Sequence, residues 1–508
     1  MSSGGSQRHE LAVRKRDLRI ALYLGLGALA LYLSTGRFFI DNLDGENYFL
    51  TTEAILRGDI WLEHGLSGDW WSKWGWKGRP FNPHGLGQPI AAIPFWYLGH
   101  AIERYAAIAS PQLIRRATVT LLCPLATAAT VALVFWFARR LGHSRPSAFV
   151  AALLFAAASP AWPYARYYFS EPLAGLLLLA ALYYLWVARG GGGLSAAAAA
   201  GALAGFTALT RPALWPLVLF GGILALSCTR GRQRWAALAV YALFLAPSVV
   251  LQGWYNYARF GSLFEEWPGG PNRLSLLNLP VGLYGQLFSP GKSVFLYCPV
   301  LVLALIGWPA FSRRDRFTAW AGIGVVGYHL LVYGAWTDWP GGWCWGPRFL
   351  FAALPAAWLA IPSGLERVRR SQALTLTATA LATLSLAVQL LAVSTFYMAH
   401  LDRIYAQRGR VSDSYYRWAD SPLLGAMATL RHLRWSPLDR SLLTRVTDRA
   451  AATEELKAEL RNTLDVWPAY LRRFGFGRWV WSVFALGLLS CAVFWIAGWR
   501  MARAPAPG

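Results

Sequence analysis

Three carboxylates fall within six residues in Asp41-Asn42-Leu43-Asp44-Gly45-Glu46, directly after the first apolar run of a 508-residue chain with 48 Lys+Arg against 25 Asp+Glu. Acid at the mouth of an apolar bundle is costly without a task; it can take a proton from an attacking hydroxyl or share a divalent cation. Further along, Glu171 opens a long apolar segment after Tyr167-Tyr168-Phe169-Ser170. It reads as a helix-dipole partner or as a site carboxylate. Arg211 sits in the short turn Thr210-Arg211-Pro212 and reads as a phosphate ligand or as a structural partner of Glu171.

The stretch after the acids carries Trp61, Trp70, Trp71, Trp74 and Trp76 with Lys73, Lys77 and Arg79 interleaved, then Asn82-Pro83-His84-Gly85. Tryptophan at this density suits a headgroup interface, and the same rings can stack on sugars while the cations meet a phosphate or snorkel to lipid. Asn256 and the Gly285 to Lys292 stretch, Gly-Gln-Leu-Phe-Ser-Pro-Gly-Lys, lie in turn-forming segments beside apolar runs. The turn from Trp336 to Arg348, rich in Trp and Gly, is a candidate lining for a site.

The elements that must position these groups are set by composition. Hydrophobic residues make up 56% and charged residues 14%. With many apolar runs near the ~20 residues a spanning helix needs, the chain is expected to be an all-α polytopic membrane protein. About twelve spans are expected, over 20 to 35, 113 to 138, 146 to 161, 172 to 188, 195 to 209, 213 to 228, 235 to 251, 293 to 310, 317 to 335, 348 to 363, 372 to 396 and 477 to 498. The net charge of +23 is spread over short segments between the runs, which suits anionic lipid and disfavours nucleic acid as a partner. No small-residue cleavage site follows the first apolar run, which reads as a retained signal anchor. Cys123, Cys228, Cys298, Cys344 and Cys491 have no paired spacing, so neither a disulfide framework nor a zinc knuckle is expected.

With Arg8, Arg14, Lys15, Arg16 and Arg19 in the cytoplasm, the arginines at 139 to 145, 230 to 234, 313 to 316, 367 to 370 and 500 to 503 all fall on the cytoplasmic side, so both termini are cytoplasmic. This count holds only if 86 to 102, interrupted by Pro89 and Pro94, lies in the outer interface instead of crossing. The long connections, 36 to 112, 252 to 292 and 397 to 476, then face outward. The expected organisation is a membrane core over 1–396 with first outer loop 36–112, an extracytoplasmic segment 397–476, and a last span and tail over 477–508. Thr453 to Leu464, with Glu454, Glu455 and Lys457, has helix-like spacing and reads as a cap over the site or a spacer.

The ordered set of acidic motif, Tyr48 to Glu53 helix, Ser170-Glu171 opening, Arg211-Pro212 and Gly285 to Lys292 resembles bacterial lipid-carrier-dependent glycosyltransferases of the GT-C superfamily. The resemblance covers most of residues 18 to 365 and falls in the branch related to protein O-mannosyltransferases and aminoarabinose transferases. It implies a GT-C core in the cell inner membrane and transfer of a sugar from a polyprenyl-phosphate donor, with inversion, to a hydroxyl on a glycan, lipid or protein acceptor. It also implies an acidic base after the first span, for which Asp44 fits best, Asp41 is the rival and Glu46 the neighbour. The family's acids are often adjacent, whereas Gly45 separates them here. A phosphate leaving group needs cations more than a proton, and Arg211, Arg348, Lys73 or Lys77 can supply them. No cofactor is required; a divalent metal on Asp44, Glu46, Glu171 and His84 is a possible addition, although no helical ligand spacing marks one. A transporter or flippase for lipid-linked saccharides, or a polysaccharide polymerase or ligase, stands as the alternative.

Overall fold

The computed structural model describes residues 3–62, 73–75, 77–105, 109–227, 231–264, 274–445, 456 and 458–505. Trp70, Trp71, Trp76, Cys228, Arg230, Thr453, Glu454, Glu455 and Lys457 lie outside these residues, as does the side chain of Lys73. The described chain is helical apart from the two-residue strand pair β1 (Lys73–Trp74) and β2 (Pro80–Phe81).

Apolar segments without internal charge must keep their backbone hydrogen bonds to themselves in lipid, and they do so as helices. Among the described residues, seven helices are long and apolar enough to cross a membrane, and a pair bent by 60°, Arg348–Trp358 with Ile361–Val368, makes an eighth. One of the seven, Glu171–Thr210, folds back on itself: α8 (Glu171–Val187) and α9 (Gly193–Thr210) are joined through Gly191 and Gly193, whose φ values are 100° and 61°. Only glycine takes such angles without strain, and the turn brings Arg211 back to Glu171.

The twelve expected spans do not appear as twelve uninterrupted rods. The runs 146 to 161 and 213 to 228 give helices of 13 residues (Arg145–Ala157) and 12 residues (Trp215–Leu226). The run 293 to 310 breaks at Cys298-Pro299. Proline removes a donor and clashes with the preceding turn, so a run that is continuous in hydropathy is divided in backbone geometry. Segment 86 to 102 becomes a 17-residue helix, Gly87–Glu103, with Pro94 inside it.

Small residues let the rods approach. A Cβ at Gly201 of α9 would lie 2.2 Å from the Tyr241 carbonyl oxygen on the 28-residue helix Gln233–Phe260, so these two helices meet backbone to backbone. The last helix, Trp479–Arg503, runs antiparallel along α1 (Ser3–Ser34), with the Trp495 indole over Gly27 and Gly487 over Ser34. At one end of the bundle Arg16 donates to the carbonyls of Met501 and Ala504, Asp17 pairs with Arg139 and Arg145, and Glu366 pairs with His143 and Arg314. Basic groups from three of the expected clusters therefore share one end of the molecule.

The opposite end is covered by α2 (Leu43–Leu56), α3 (Gly87–Glu103) and α4 (Pro111–Val119). Tyr48 and Phe49 of α2 pack with Ala92, Val119 and Tyr168 in one buried cluster that seats α2 over the start of α8. The segment after residue 396 docks at the same end: Asp465 N–H donates to the Ser394 carbonyl at 3.2 Å and Trp467 N–H to the Gly36 carbonyl at 3.0 Å.

Candidate active site

Asn42 caps α2, its Oδ1 accepting from Gly45 N–H at 2.7 Å, which fixes Asp44 in the first turn. The glycine between the acids has a steric cause. A Cβ at Gly45 would fall 2.8 Å from Ile40 Cγ2 and 3.0 Å from the Tyr168 carbonyl oxygen, so the helix end sits directly on the segment that leads into α8.

Asp44 uses both carboxylate oxygens. His84 Nε2 lies 3.2 Å from Oδ1, and Arg348 Nη2 donates to Oδ2. Arg348 also donates from Nε to Glu171 Oε1 at 2.5 Å, and Arg211 Nη1 donates to that same oxygen. Arg211 Nη2 donates to the Tyr333 hydroxyl at 3.1 Å, and its Nη1 lies 3.3 Å from Ser170 Oγ, which also accepts from Tyr48 Oη at 3.1 Å. The result is a continuous chain of side chains, His84, Asp44, Arg348, Glu171, Arg211, drawn from five separate parts of the sequence. Arg348 lies 3.9 Å over the Phe169 ring, and Arg211 lies 5.4 Å from Phe349, which stacks on Tyr333. Aromatic faces thus hold each guanidinium in plane for two-pronged contacts.

The charges are matched and poorly solvated. Burial pushes the Asp44 carboxyl up, but Arg348 and then His84 outweigh it and hold the group well below the usual carboxylate range. Burial likewise works against charge on Arg211, and Glu171 overrides it, raising that pKa. Glu171 is fully buried, and its Oε2 receives no hydrogen bond among the described residues. His84 and Asp44 are the open end, with side chains 21% and 20% exposed.

The other two acids of the opening knot lie elsewhere. Asp41 pairs with Arg37 in a buried cluster in which Asp465 also binds Arg37 at 2.9 Å and Arg166 at 3.2 Å, so the cluster ties the segment after residue 396 to the chain just after α1. Glu46 lies against Arg116 of α4 at 3.2 Å, with Arg116 over the Phe49 ring at 4.4 Å. Residues two apart on a helix point about 200° apart, so Asp44 and Glu46 cannot serve one site. Asp465→Asn leaves Arg37 and Arg166 short of their shared anion. It is expected to cost about 3–5 kcal/mol by thermal or chemical unfolding in detergent, while activity per folded molecule stays near wild type.

Lys292 is buried behind the Trp336 to Arg348 turn. Its Nζ donates to the carbonyls of Gly342 at 3.0 Å and Cys344 at 3.1 Å and lies 3.0 Å from Cys344 Sγ, and burial lowers its pKa. It therefore braces the turn that delivers Arg348. Asn256 accepts from Gln252 and from Arg259, whose Nη1 donates to the Asn82 carbonyl at 2.9 Å. Asn82 Oδ1 in turn accepts from His84 N–H at 2.9 Å, so Asn256 and Arg259 act on the site by fixing the loop of His84. Lys77 is exposed beside Gly78. Among the described residues no group of three or more His, Cys, Asp and Glu is placed to hold a metal; Arg116 occupies Glu46, and Arg348 stands between Asp44 and Glu171. Sequence reasoning did not single out Arg37, Arg116, Arg166, Arg259 or Asp465. The signal for Arg116 was an arginine at the head of an apolar run, where an unpaired charge is costly.

No family model and no curated protein matches the chain. Solved structures similar to it include the following two. ArnT from Cupriavidus metallidurans bound to undecaprenyl phosphate has a TM-score of 0.48 and 13% identity over 87% of this chain and 88% of that one. The same protein in the apo state gives 0.45 and 13% over 95% and 75%.

Proposed function

We propose that this chain is an integral-membrane glycosyltransferase that moves a sugar, with inversion, from a polyprenyl-phosphate donor to a hydroxyl acceptor at the extracytoplasmic mouth of its helix bundle. The observation that carries this reading is the His84–Asp44–Arg348–Glu171–Arg211 chain, two aromatic-braced guanidiniums beside a rim carboxylate. A lipid phosphate is a weakly basic leaving group that departs as a dianion, so Arg348 and Arg211 are the groups it needs and a general acid is not. The acceptor hydroxyl must lose its proton as it attacks, and the Asp44 end of the chain supplies that function. In this reading the chemistry is complete without a divalent ion.

The reading is tested by reconstituting the purified protein in vesicles with a radiolabelled polyprenyl-phosphate sugar and EDTA throughout. Sugar leaving the lipid for a hydroxyl compound is the expected result. Lipid-linked sugar crossing the vesicle intact would replace the reading with a flippase, and activity lost to EDTA and restored by a divalent ion would add a metal.

A further inference from the structure

We propose that His84, oriented by Asp44, takes the proton from the acceptor, so that the base of this site is an imidazole–carboxylate dyad and not a lone carboxylate. The inference rests on the transferase reading above and sharpens it at one atom.

The geometry is that of a dyad. His84 Nε2 faces Asp44 Oδ1 at 3.2 Å, while the other carboxylate oxygen is taken by Arg348. A neutral imidazole in this setting carries its proton on Nε2, towards the carboxylate, and presents the Nδ1 lone pair as the basic one. The residue is held from several sides. Its backbone N–H donates to Asn82 Oδ1 at 2.9 Å, and the Tyr48 ring lies 5.2 Å from the imidazole. Gly85 follows it so closely against α9 that a Cβ there would sit 2.0 Å from the Leu209 carbonyl oxygen. Among the described residues, the charged and titratable groups around the pair include Asp44 and Tyr48 from α2, Arg348 from the turn after Trp345, Glu171 from α8 and Arg211 from the end of α9.

The division of labour follows from basicity. General-base efficiency rises with the pKa of the base, and a carboxylate locked to a guanidinium and depressed far below the usual range is a feeble proton acceptor. Its negative charge remains well suited to stabilising an imidazolium. In the step itself the acceptor O–H bond breaks with its proton passing to Nδ1, and the oxygen pair forms the new bond to the anomeric carbon. The bond from that carbon to the phosphate oxygen breaks with its electrons staying on phosphate beside Arg348 and Arg211. The imidazolium then returns its proton to water through the open rim.

The test uses the full-length protein with a polyprenyl-phosphate sugar and a simple alcohol acceptor, comparing wild type, His84→Gln and His84→Ala across pH. The expected results are a kcat about 10²–10⁴-fold lower in both variants with donor KM little changed, and loss of the acidic limb of the pH–rate profile. Added imidazole is expected to recover part of the rate in His84→Ala. A His84→Gln variant that keeps both kcat and the limb but binds donor more weakly would make His84 a ligand and return the proton to Asp44, overturning the dyad alone. A wild-type protein that releases no lipid phosphate would overturn the transferase reading, and the dyad with it.

Discussion

Arg348→Ala is expected to lower donor turnover by about 10²–10³-fold, the usual effect of removing one preorganised partner of a developing anion. It is also expected to lower stability by on the order of 2 kcal/mol. Arg348 is the hinge of the site: its guanidinium joins Asp44 to Glu171, and both carboxylates are left short of a cation without it. Glu171 keeps Arg211 and Asp44 keeps His84 and some solvent, which is why the stability cost stays below that of breaking an isolated buried pair. Arg348→Lys is expected to recover part of the stability and little of the rate, since one ammonium cannot span two carboxylates. The pH dependence carries the same signature. Burial raises the Asp44 carboxyl but Arg348 and His84 bring it well below its ordinary value. A depressed carboxyl contributes stability that is complete above its unfolded pKa of about 4 and is lost as pH falls towards the folded value. Unfolding midpoints measured from about pH 5 down to pH 2 are therefore expected to fall more steeply in wild type than in Arg348→Ala.

Asp44→Asn is expected to be the most damaging conservative change, with turnover down by roughly 10²–10⁴-fold and the protein still folded in the membrane. The carboxamide oxygen can go on accepting from Arg348, which preserves the fold. Its NH₂ then faces His84 Nε2, which forces the imidazole into the opposite tautomer and removes the charge that would stabilise an imidazolium. A gel-filtration profile and melting curve close to wild type, together with collapsed turnover, is the combination that supports this account. Wild-type turnover in Asp44→Asn would remove the carboxylate from the chemistry altogether.

Much of this site was legible in the residues themselves. Asp44, Glu171, Arg211 and Arg348 stand out because each is a charge at the end of an apolar run, and the fold joins them in one chain. What the residues did not reveal was how the acidic knot divides. Asp41 precedes the helix and turns to Arg37, Glu46 points across α2 to Arg116, and Asn42 between them is a helix cap. The two-residue spacing of Asp44 and Glu46 carried that information once α2 was known to start at Leu43. Asp465 was invisible for another reason: its partners Arg37 and Arg166 are hundreds of positions away in sequence, and no local pattern announces a buried ion cluster. Runs that are continuous in hydropathy are divided where proline and glycine interrupt the helix, since hydropathy measures apolarity and not the continuity of the hydrogen-bonded backbone.

The central claim is that Arg348 and Arg211 grip a lipid phosphate while the Asp44–His84 rim activates a hydroxyl. The most direct measurement is the stoichiometry of free polyprenyl phosphate released to sugar gained by the acceptor, in purified wild type and in Arg348→Ala. The account predicts one-to-one release and gain in wild type, both falling together in the variant. Sugar transfer that proceeds at the wild-type rate in Arg348→Ala, or no lipid phosphate released by wild type, would contradict it.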